Sequence, residues 1–333
     1  MPDRPIAAGM SHPPVNLSPM TAEMARLNLI TKRQRALITR DQAMAAGLSD
    51  AQIETLLRRV VLVEMRRSVY ALAGAPSSWE QSLLAAVLAA GPRAHASHGS
   101  AAWLWGFRRF ERPDQLDLLA PIDRKISLDG VIGHRSRELF DEDLTSRLAI
   151  PCVTPARAFV DVAGRLRPDA VGSTLDDLLR RRLLTLEELR RCAGRLHPGP
   201  GRALARVQGA LADRWPGYDP GESDLETRAL RAIVRSGLPL PRQQYRITLR
   251  GKPTRIDLAY PEERIAIEID SWEYHGQMRS AFDVDHIRRD DVVVLGWTPY
   301  TFTSAMSDAY FTTGLRSLLE AAWARGIGKS GAA

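Results

Sequence analysis

Cysteine is scarce in this sequence, and long apolar runs are missing from it. Its 333 residues include only two cysteines, Cys152 and Cys192, too few for a disulfide framework or a thiolate zinc site. No apolar run approaches the roughly 18 residues that a membrane span needs. Residues 1–20 contain no basic segment followed by an apolar one, so they lack the pattern of a secretion signal. We therefore expect a cytoplasmic protein with no membrane partner and a flexible tail over residues 1–20.

Positive charge is in excess and is unevenly distributed. The chain carries 46 Lys and Arg against 39 Asp and Glu, a formal net charge of +7. Residues 1–218 hold 31 basic and 23 acidic side chains, whereas residues 219–333 hold 15 and 16. A basic excess favours contact with a polyanion. We expect the N-terminal part to make that contact and the C-terminal part to have another role.

Two capping-box patterns near the start of the chain predict two short, adjacent helices. Thr39 is followed by Gln42, and Ser49 by Gln52; in such a box each side chain bonds the other residue's backbone amide. Gly47 lies between them, at a position where helices commonly end. The predicted apolar seam of this helix-turn-helix consists of Met44, Ile53, Leu56 and Leu57.

Two β-rich runs, VVLVEM and SVYAL, follow the second helix and are separated by Arg66 and Arg67. This order predicts a winged helix-turn-helix over residues 21–75, with the arginine pair at the tip of the wing. Residues 31–72 carry eight Lys and Arg against four Asp and Glu, which suits a surface that neutralises phosphates. The alternative is a small helical subdomain with an ordinary solvated basic face. The candidate DNA-binding residues are Ser49, Gln52, Arg58, Arg59, Arg66 and Arg67.

This stretch resembles the winged-helix domain of the AbiEi-type antitoxin family. The shared features are a threonine-capped helix, the run AAGLS, an arginine-rich helix end and a wing of the form RR-x-VYAL. The similarity continues through SHGSAAWLWGF and TPARAFVDVA and covers about Leu27–Ala210. Val60 and Ser68 depart from the pattern, because glycines are usual at both positions. The resemblance implies DNA as a partner, a cognate toxin as a second one, and an α+β extension over residues 76–214.

A dense group of prolines and glycines, WPGYDPG at residues 215–221, predicts a linker before the last domain. Beyond it, RIDLAY and RIAIEID are two strand-like runs joined by a turn at Glu262 and Glu263. A hairpin centred on this turn places apolar residues opposite one another, as hydrophobic patterning requires. The predicted pairs are Ile256 with Ile269, Leu258 with Ile267, and Tyr260 with Ile265.

The same register places Asp257 opposite Glu268 on the other face, with Cβ atoms about 4.5–5.5 Å apart. Facing carboxylates repel each other unless a cation neutralises them, and carboxylate oxygens are suitable ligands for Mg²⁺ or Mn²⁺. The alternative is a solvated sheet face on which Arg255 and Arg264 pair with the acids. No lysine lies nearby.

A helix with a glutamate, followed by a strand pair that carries D and E-x-K, is the pattern of PD-(D/E)XK nucleases. Here SDLETRALRAIVRSGLPLP supplies the helix and Glu226, RIDLAY supplies Asp257, and Glu268 and Asp270 stand at the E and K positions. Residues 222–303 more closely resemble the Vsr-like endonuclease-related family, in the runs SDLE, GLPLP, IDLAYP, IEIDSWEYHG and LGW. Thus the predicted fold class is α/β: a winged helix-turn-helix with a mixed α+β extension, then a restriction-endonuclease-like α/β domain over residues 222–325.

The resemblance implies an endonuclease that hydrolyses phosphodiester bonds with Mg²⁺ or Mn²⁺ as cofactor. The implied metal ligands are Asp257, Glu268 and Asp270. The implied catalytic residues are these three together with Glu226, His275 and Arg288. Because Asp270 stands where the superfamily often has lysine, a basic helper must come from His275 or Arg288. His275 either moves a proton or makes a structural hydrogen bond.

Two further positions leave alternatives open. Glu226 either reaches the metal or completes a capping box with Ser223. Thr301 falls where an arginine is frequent in the family, which removes one expected phosphate contact. A rival to the nuclease is a non-enzymatic DNA-binding transcriptional regulator, or a type IV antitoxin, whose nuclease-like domain is inactive. RNA remains an alternative substrate to DNA.

Overall fold

The structure is a computed structural model that describes four stretches of the chain, namely residues 19–198, 202–214, 218–270 and 292–328. Over these stretches the chain forms three β-sheets with helices packed on them. The molecule is therefore a mixed α/β protein. No helix within the described stretches combines the length and apolarity needed to cross a membrane.

The chain divides into two compact units. Unit 1 consists of residues 1–106 and 110–158, and unit 2 consists of residues 107–109 and 159–333. Each described sheet lies within a single unit.

The N-terminal segment of unit 1 forms a three-stranded antiparallel sheet of order β1-β3-β2 with three helices. Its core includes Leu27, Ile38 and Ile53, which are fully buried. The elements are α1 (Pro19–Arg33), β1 (Leu37–Thr39), α2 (Arg40–Ala45), α3 (Asp50–Arg58), β2 (Leu62–Arg66) and β3 (Val69–Leu72).

Both predicted capping boxes are confirmed. The Thr39 and Ser49 side chains accept the backbone amides of Gln42 and Gln52, whose side chains bond back to the cap residues. Gly47 follows α2 with φ +108°, a backbone conformation that glycine adopts without a Cβ penalty. The boundaries of α2 and α3 therefore follow from local side-chain chemistry.

The predicted apolar seam is wrong at one position. Ile53 is buried, and Leu56 and Leu57 pack against the same core, but Met44 is 46% exposed. The helix is short, and Ala43 fills the buried position of α2 instead. A one-residue error along a helix rotates a side chain by about 100°, enough to move it out of the core.

Both positions where glycine was expected have left-handed backbone. Val60 has φ +54° after α3, and Ser68 has φ +61° in the β2–β3 turn. The turn geometry of the pattern is therefore present, although residues with a Cβ stand in it and strain the backbone.

The rest of unit 1 forms a five-stranded mixed sheet of order β6-β5-β4-β8-β7. The apolar helix α4 packs on it through Leu83, Leu84 and Val87. The elements are α4 (Trp79–Ala90), β4 (His95–Ala96), α5 (His98–Leu104), β5 (Leu116–Pro121), β6 (Val131–Ser136), a 3-10 turn (Asp141–Asp143), β7 (Leu144–Arg147) and β8 (Ile150–Val153).

Unit 2 contains a helical part and a four-stranded sheet of order β12-β11-β10-β9. Strands β9, β10 and β11 form an antiparallel meander, and β12 lies parallel to β11. The elements from the end of β8 onward are α6 (Pro155–Val162), α7 (Pro168–Arg180), α8 (Leu186–Arg195), α9 (Leu204–Ala212), α10 (Asp224–Arg235), β9 (Arg242–Leu249), β10 (Lys252–Tyr260), β11 (Ile265–Asp270), β12 (Thr298–Thr303) and α11 (Asp308–Ala324).

One face of the four-stranded sheet packs against α10 and α11. Leu258, Ile267 and Phe302 from the strands meet Ile233 of α10 and Phe311 of α11, all buried. The apolar positions of α10 recur at helical spacing, so one stripe of this helix covers the sheet.

Residues 218–221, the described part of the predicted linker over residues 215–221, are hydrogen-bonded to the helical part of unit 2. Tyr218 is 8% exposed, and its hydroxyl donates to Asp176 on α7 at 2.9 Å. Arg180, at the end of α7, donates to the carbonyl of Gly221 at 2.8 Å. Residues 218–221 are therefore tied to the helical part of unit 2.

Candidate functional site

The predicted hairpin is confirmed near its turn and wrong farther from it. Leu258 pairs with Ile267, and Tyr260 with Ile265, as expected. The register between β10 and β11 ends at Leu258. Beyond it, Ile256 packs in a cluster with Ala259 and Ala266, whereas Ile269 packs against the cluster that faces α10 and α11. These two isoleucines are therefore not the facing pair that was predicted.

Asp257 lies at the position where the two strands separate. Its Oδ2 accepts a hydrogen bond from the backbone amide of Ile269 at 2.9 Å. On the other side of β10, Ile256 pairs with Tyr245, and Gln244, which precedes Tyr245 on β9, has φ +50°. The hairpin is therefore irregular on both sides of Asp257, and a polar side chain occupies the gap.

Glu226 extends from the first turn of α10 toward this irregularity. Its residue is 6% exposed, and Oε2 accepts hydrogen bonds from Gln244 Nε2 at 2.8 Å and from the Glu222 amide at 3.0 Å. Ser223 caps the helix by accepting the Glu226 amide at 3.0 Å. The capping interaction is thus one-sided, because the Glu226 carboxylate accepts the Glu222 amide. Gly221 leaves the necessary room, since a Cβ there would lie 2.9 Å from Glu226 Oε2.

Burial and neighbouring groups change the pKa of the Glu226 carboxyl. Burial raises the pKa of the Glu226 carboxyl, the hydrogen bond from Glu222 lowers it in part, and the charge of Asp257 raises it again. Beside them, Gln244 Oε1 is buried and makes no hydrogen bond within the described part of the protein. Two acids and an amide oxygen form the kind of donor set that hard divalent cations bind.

The remaining predicted ligands lie on the adjacent strand. Glu268 and Asp270 are on β11, in register with Thr301 and Thr303 of β12. Among the residues that the structure describes, no three His, Cys, Asp or Glu side chains are grouped so as to hold a metal ion. The predicted three-acid site is therefore not assembled in these residues. Glu226 is instead bonded to Gln244 of β9, a residue that the sequence had not indicated.

His275 and Arg288 lie outside the described residues. Arg255, which was the alternative partner of the acids on β11, makes a bidentate ion pair with Glu222 at 2.7 and 2.6 Å. Arg264 lies in the β10–β11 turn with φ +53°, and its carbonyl accepts the amide of Thr298 at 2.7 Å.

The two polar residues predicted to contact DNA at the start of α3 are engaged in capping. Ser49 Oγ accepts the Gln52 amide at 3.3 Å, and Gln52 Oε1 accepts the Ser49 amide at 2.6 Å. Gln52 also donates to Glu23 of α1 at 3.2 Å. Their hydrogen bonds fix the start of α3.

The four arginines that were predicted to contact DNA differ in their exposure to solvent. Arg58 and Arg59 are exposed at the end of α3, and Arg67 is exposed in the β2–β3 turn. Arg66 is half-buried and donates to the backbone carbonyl of Asp129 at 2.8 Å. Three guanidinium groups are therefore presented to solvent, whereas the fourth is bonded within unit 1.

A buried carboxylate–histidine pair in unit 1 was missed from the sequence. Asp117 on β5 is 2% exposed; its Oδ1 lies 2.7 Å from His134 Nε2, and its Oδ2 accepts the Gly99 amide at 3.0 Å. The His98 ring stacks on His134 with centroids 3.6 Å apart, and His98 has φ +44°. A buried carboxylate fixes the orientation of its histidine. The pair depends on β5 lying parallel to β6, which no local signal predicted.

The arrangement of three sheets and their helices defines a mixed α/β protein with a basic N-terminal segment and an acidic group beside β10. No protein-family model matches the sequence. Two uncharacterized proteins of Mycobacterium tuberculosis, MT2308 and Rv2248, are each 31% identical to it over 209 residues, which is 62% of this chain and 73% of theirs. The chain belongs to the family of these two proteins. Among solved structures, the Rv2827c protein from M. tuberculosis aligns with a TM-score of 0.37 and 17% identity, covering 68% of this chain and 88% of that chain.

Proposed function

We propose that this protein binds DNA through its N-terminal segment and carries a divalent-metal-dependent endonuclease domain in its C-terminal part. The observation that carries the proposal is the Glu226 carboxylate of α10, which is buried and bonded to Gln244 of β9, and whose pKa is raised by burial and by the charge of Asp257 on β10. Such an arrangement is unfavourable unless a cation or a proton neutralises it. Supporting it further, Gln244 Oε1 is a buried oxygen beside them without a hydrogen-bond partner in the described residues.

The proposal includes a fold for each part of the chain: a winged helix-turn-helix at the N-terminus and a restriction-endonuclease-like domain at the C-terminus. The N-terminal segment has the element order of a winged helix-turn-helix, with α2 and α3 followed by the β2–β3 wing. In unit 2, α10 with Glu226 precedes β10 with Asp257 and β11 with Glu268. This is the order that the resemblance to PD-(D/E)XK and Vsr-like nucleases implies.

Mg²⁺ or Mn²⁺ would be held by Glu226, Asp257 and the Gln244 amide oxygen. Glu268 and Asp270 are proposed as further ligands, because they lie on the adjacent strand β11. A bound divalent cation supplies polarisation of the phosphodiester and activation of water. The chain itself fixes the acids: Gln244 Nε2 and the Glu222 amide hold Glu226, and the Ile269 amide holds Asp257. Neither acid can therefore swing freely out of the site.

DNA binding is assigned to Arg58, Arg59 and Arg67, because all three are exposed and come from the end of α3 and the tip of the wing. Guanidinium groups neutralise phosphates and release counterions. Ser49, Gln52 and Arg66 support this surface from hydrogen-bonded positions.

A non-enzymatic regulator or type IV antitoxin is the second candidate, with a cognate toxin as its partner. Two observations favour it: Asp257 Oδ2 is engaged by the Ile269 amide, and the described residues contain no three-acid metal group. In either case, we propose that the protein acts in the cytoplasm.

Incubation of the purified protein with plasmid, single-stranded DNA and RNA, with Mg²⁺, Mn²⁺ or EDTA, tests the proposal. We expect metal-dependent cleavage of DNA by the wild type and none by Glu268→Ala. Glu262→Ala is the matched control, since Glu262 is an exposed acid of the same hairpin that pairs with Arg242. Both variants should bind duplex DNA as the wild type does, because the proposed DNA contacts lie in unit 1.

If the protein cleaves none of these substrates with any of the metals, the nuclease assignment is wrong and the regulator becomes the proposed function. Asp270→Lys refines the outcome, because it restores the residue usual in the superfamily. Activity retained in that variant would show that Asp270 is not an essential ligand.

A further inference from the structure

A cavity of about 490 Å³ lies within unit 1, and every residue that lines it belongs to that unit. Its walls come from the start of α2, the β2–β3 turn and the end of α4. Pockets that hold small ligands typically measure about 300–1,000 Å³. The cavity is therefore large enough for a nucleotide-sized molecule, and nothing in the proposed nuclease chemistry uses it.

Three arginines, Arg40, Arg67 and Arg124, line the cavity. Arg40 is already neutralised, because it pairs with Asp50 at 2.8 Å and Glu54 at 3.4 Å. Arg67 and Arg124 make no ion pair within the described residues. One carboxylate, Asp41, also lines the cavity, and the charge of Arg124 helps to lower the pKa of Asp123. Arg67 and Arg124 together still outnumber the lining acid, which favours an anionic occupant.

The position of Arg124 depends on Gly91, the residue that ends α4. A Cβ at Gly91 would lie 2.3 Å from Arg124 Nη2, and Gly91 has φ +95°. The guanidinium group therefore lies against the backbone in space that only glycine leaves open.

The lining of the cavity also has an apolar part. It includes Val87, Leu88, Pro92 and Pro151. A simple inorganic ion would leave this surface wet, whereas a ligand with an apolar or planar body would cover it. The lining thus combines guanidinium groups with apolar surface, which suits a molecule that carries both an anionic group and a ring system.

We propose that this cavity binds a nucleoside phosphate, with the phosphate on Arg67 and Arg124 and the nucleoside body against Val87, Leu88 and Pro151. Arg67 is also a proposed DNA contact, so the bound ligand and DNA compete for the same guanidinium group. This second step rests on the proposed function, whereas ligand binding itself does not. By linkage, DNA must weaken ligand binding as much as the ligand weakens DNA binding.

Calorimetric titration of the full chain with adenosine monophosphate, inorganic phosphate and adenosine tests the site without DNA. We expect adenosine monophosphate to bind most tightly and adenosine most weakly. Arg124→Gln and Arg67→Gln should each weaken its binding about 10-fold or more, because each removes a charge-assisted hydrogen bond. Lys125→Gln is the matched control: this exposed neighbour of Arg124 does not line the cavity and should leave binding unchanged.

Several results would overturn the proposal. Binding that is undetectable, or equal in all three variants, would remove the site. Equal affinity for phosphate and adenosine monophosphate would show that the cavity does not recognise the nucleoside. In a separate titration, saturating adenosine monophosphate should weaken duplex DNA binding about 10-fold. If the nucleotide binds but DNA affinity is unchanged, the coupling is wrong; if the protein binds no DNA at low salt, the proposed function fails while the ligand site stands.

Discussion

At the scale of single residues, Glu226 is the side chain on which the proposed cation site depends most. It is buried, it is held by Gln244 and Glu222, and it faces the charge of Asp257. Two fixed carboxylates with a neighbouring oxygen donor bind a hard cation favourably, whereas without a cation they repel each other. Without a cation, the same arrangement must cost stability.

That cost gives a pH-dependent prediction for Glu226. Burial raises the pKa of its carboxyl above the ordinary 4.5, so the folded protein binds this proton more tightly than the unfolded chain does. Stability therefore falls as pH rises from 4.5 through the folded pKa, and levels off above it. In EDTA, Glu226→Gln should melt at an increasingly higher temperature than the wild type across this window.

Glu320→Gln on the exposed face of α11 is the control for that series. It should follow the wild type at every pH. A constant difference in melting temperature between Glu226→Gln and the wild type, from about pH 4 to about pH 8, would show that Glu226 is not destabilised by its charge.

At the scale of elements, the N-terminal segment holds left-handed backbone without glycine. Val60 and Ser68 have φ +54° and +61°, and a residue with a Cβ pays roughly 1–2 kcal/mol in this conformation. Glycine relieves that strain but gains entropy in the unfolded chain, about 0.4–1 kcal/mol. Val60→Gly and Ser68→Gly should therefore each stabilise the protein, by about 0.5–1 kcal/mol.

Urea denaturation followed by circular dichroism measures this gain. Val63→Gly is the matched control, because Val63 is also exposed but lies in the extended strand β2, where glycine is destabilising. If Val60→Gly loses as much stability as Val63→Gly, the left-handed strain is not real.

The wing arginines should contribute unequally to DNA binding. Arg66 already donates to the carbonyl of Asp129 at 2.8 Å, whereas Arg67 is exposed at the turn. The salt dependence of affinity falls by about 0.9 for each phosphate contact that is lost. Arg67→Ala should lower the slope by about one such contact and Arg66→Ala by less, in titrations at several salt concentrations. Equal slopes in the two variants would contradict this difference.

The sequence predicted elements better than it predicted their long-range neighbours. The capping boxes located α2 and α3, and apolar alternation located β10 and β11 with two of three predicted pairs, because both signals are local. The break at Asp257 was not predictable, since it arises from a side-chain bond to Ile269 and a left-handed Gln244 on a third strand. The pair of Asp117 and His134 was missed for a similar reason: strand adjacency is set by packing of the whole sheet.

At the scale of the whole molecule, basic charge and paired acids lie in different parts of the chain. The excess of Lys and Arg falls within residues 1–218, and Glu226 and Asp257 lie beyond them. The boundary between the two units falls at residue 158, so part of this excess belongs to unit 2. The three arginines proposed to contact DNA, Arg58, Arg59 and Arg67, lie in unit 1, and the two acids lie in unit 2. This separation fits a protein in which one part holds a polyanion and another acts on it.

The most direct test of this account is a Mn²⁺ titration of the full chain, monitored by thermal unfolding, with Asp257→Asn and Glu262→Gln as paired variants. Asparagine can still accept the Ile269 amide, so Asp257→Asn removes the charge and leaves the fold. Glu262→Gln changes an exposed acid of the same hairpin. Saturating Mn²⁺ should stabilise the wild type and Glu262→Gln alike, by about 2.7 kcal/mol at a concentration about 100 times Kd. Asp257→Asn should show no such response, and an equal response in all three proteins would contradict the proposed cation site.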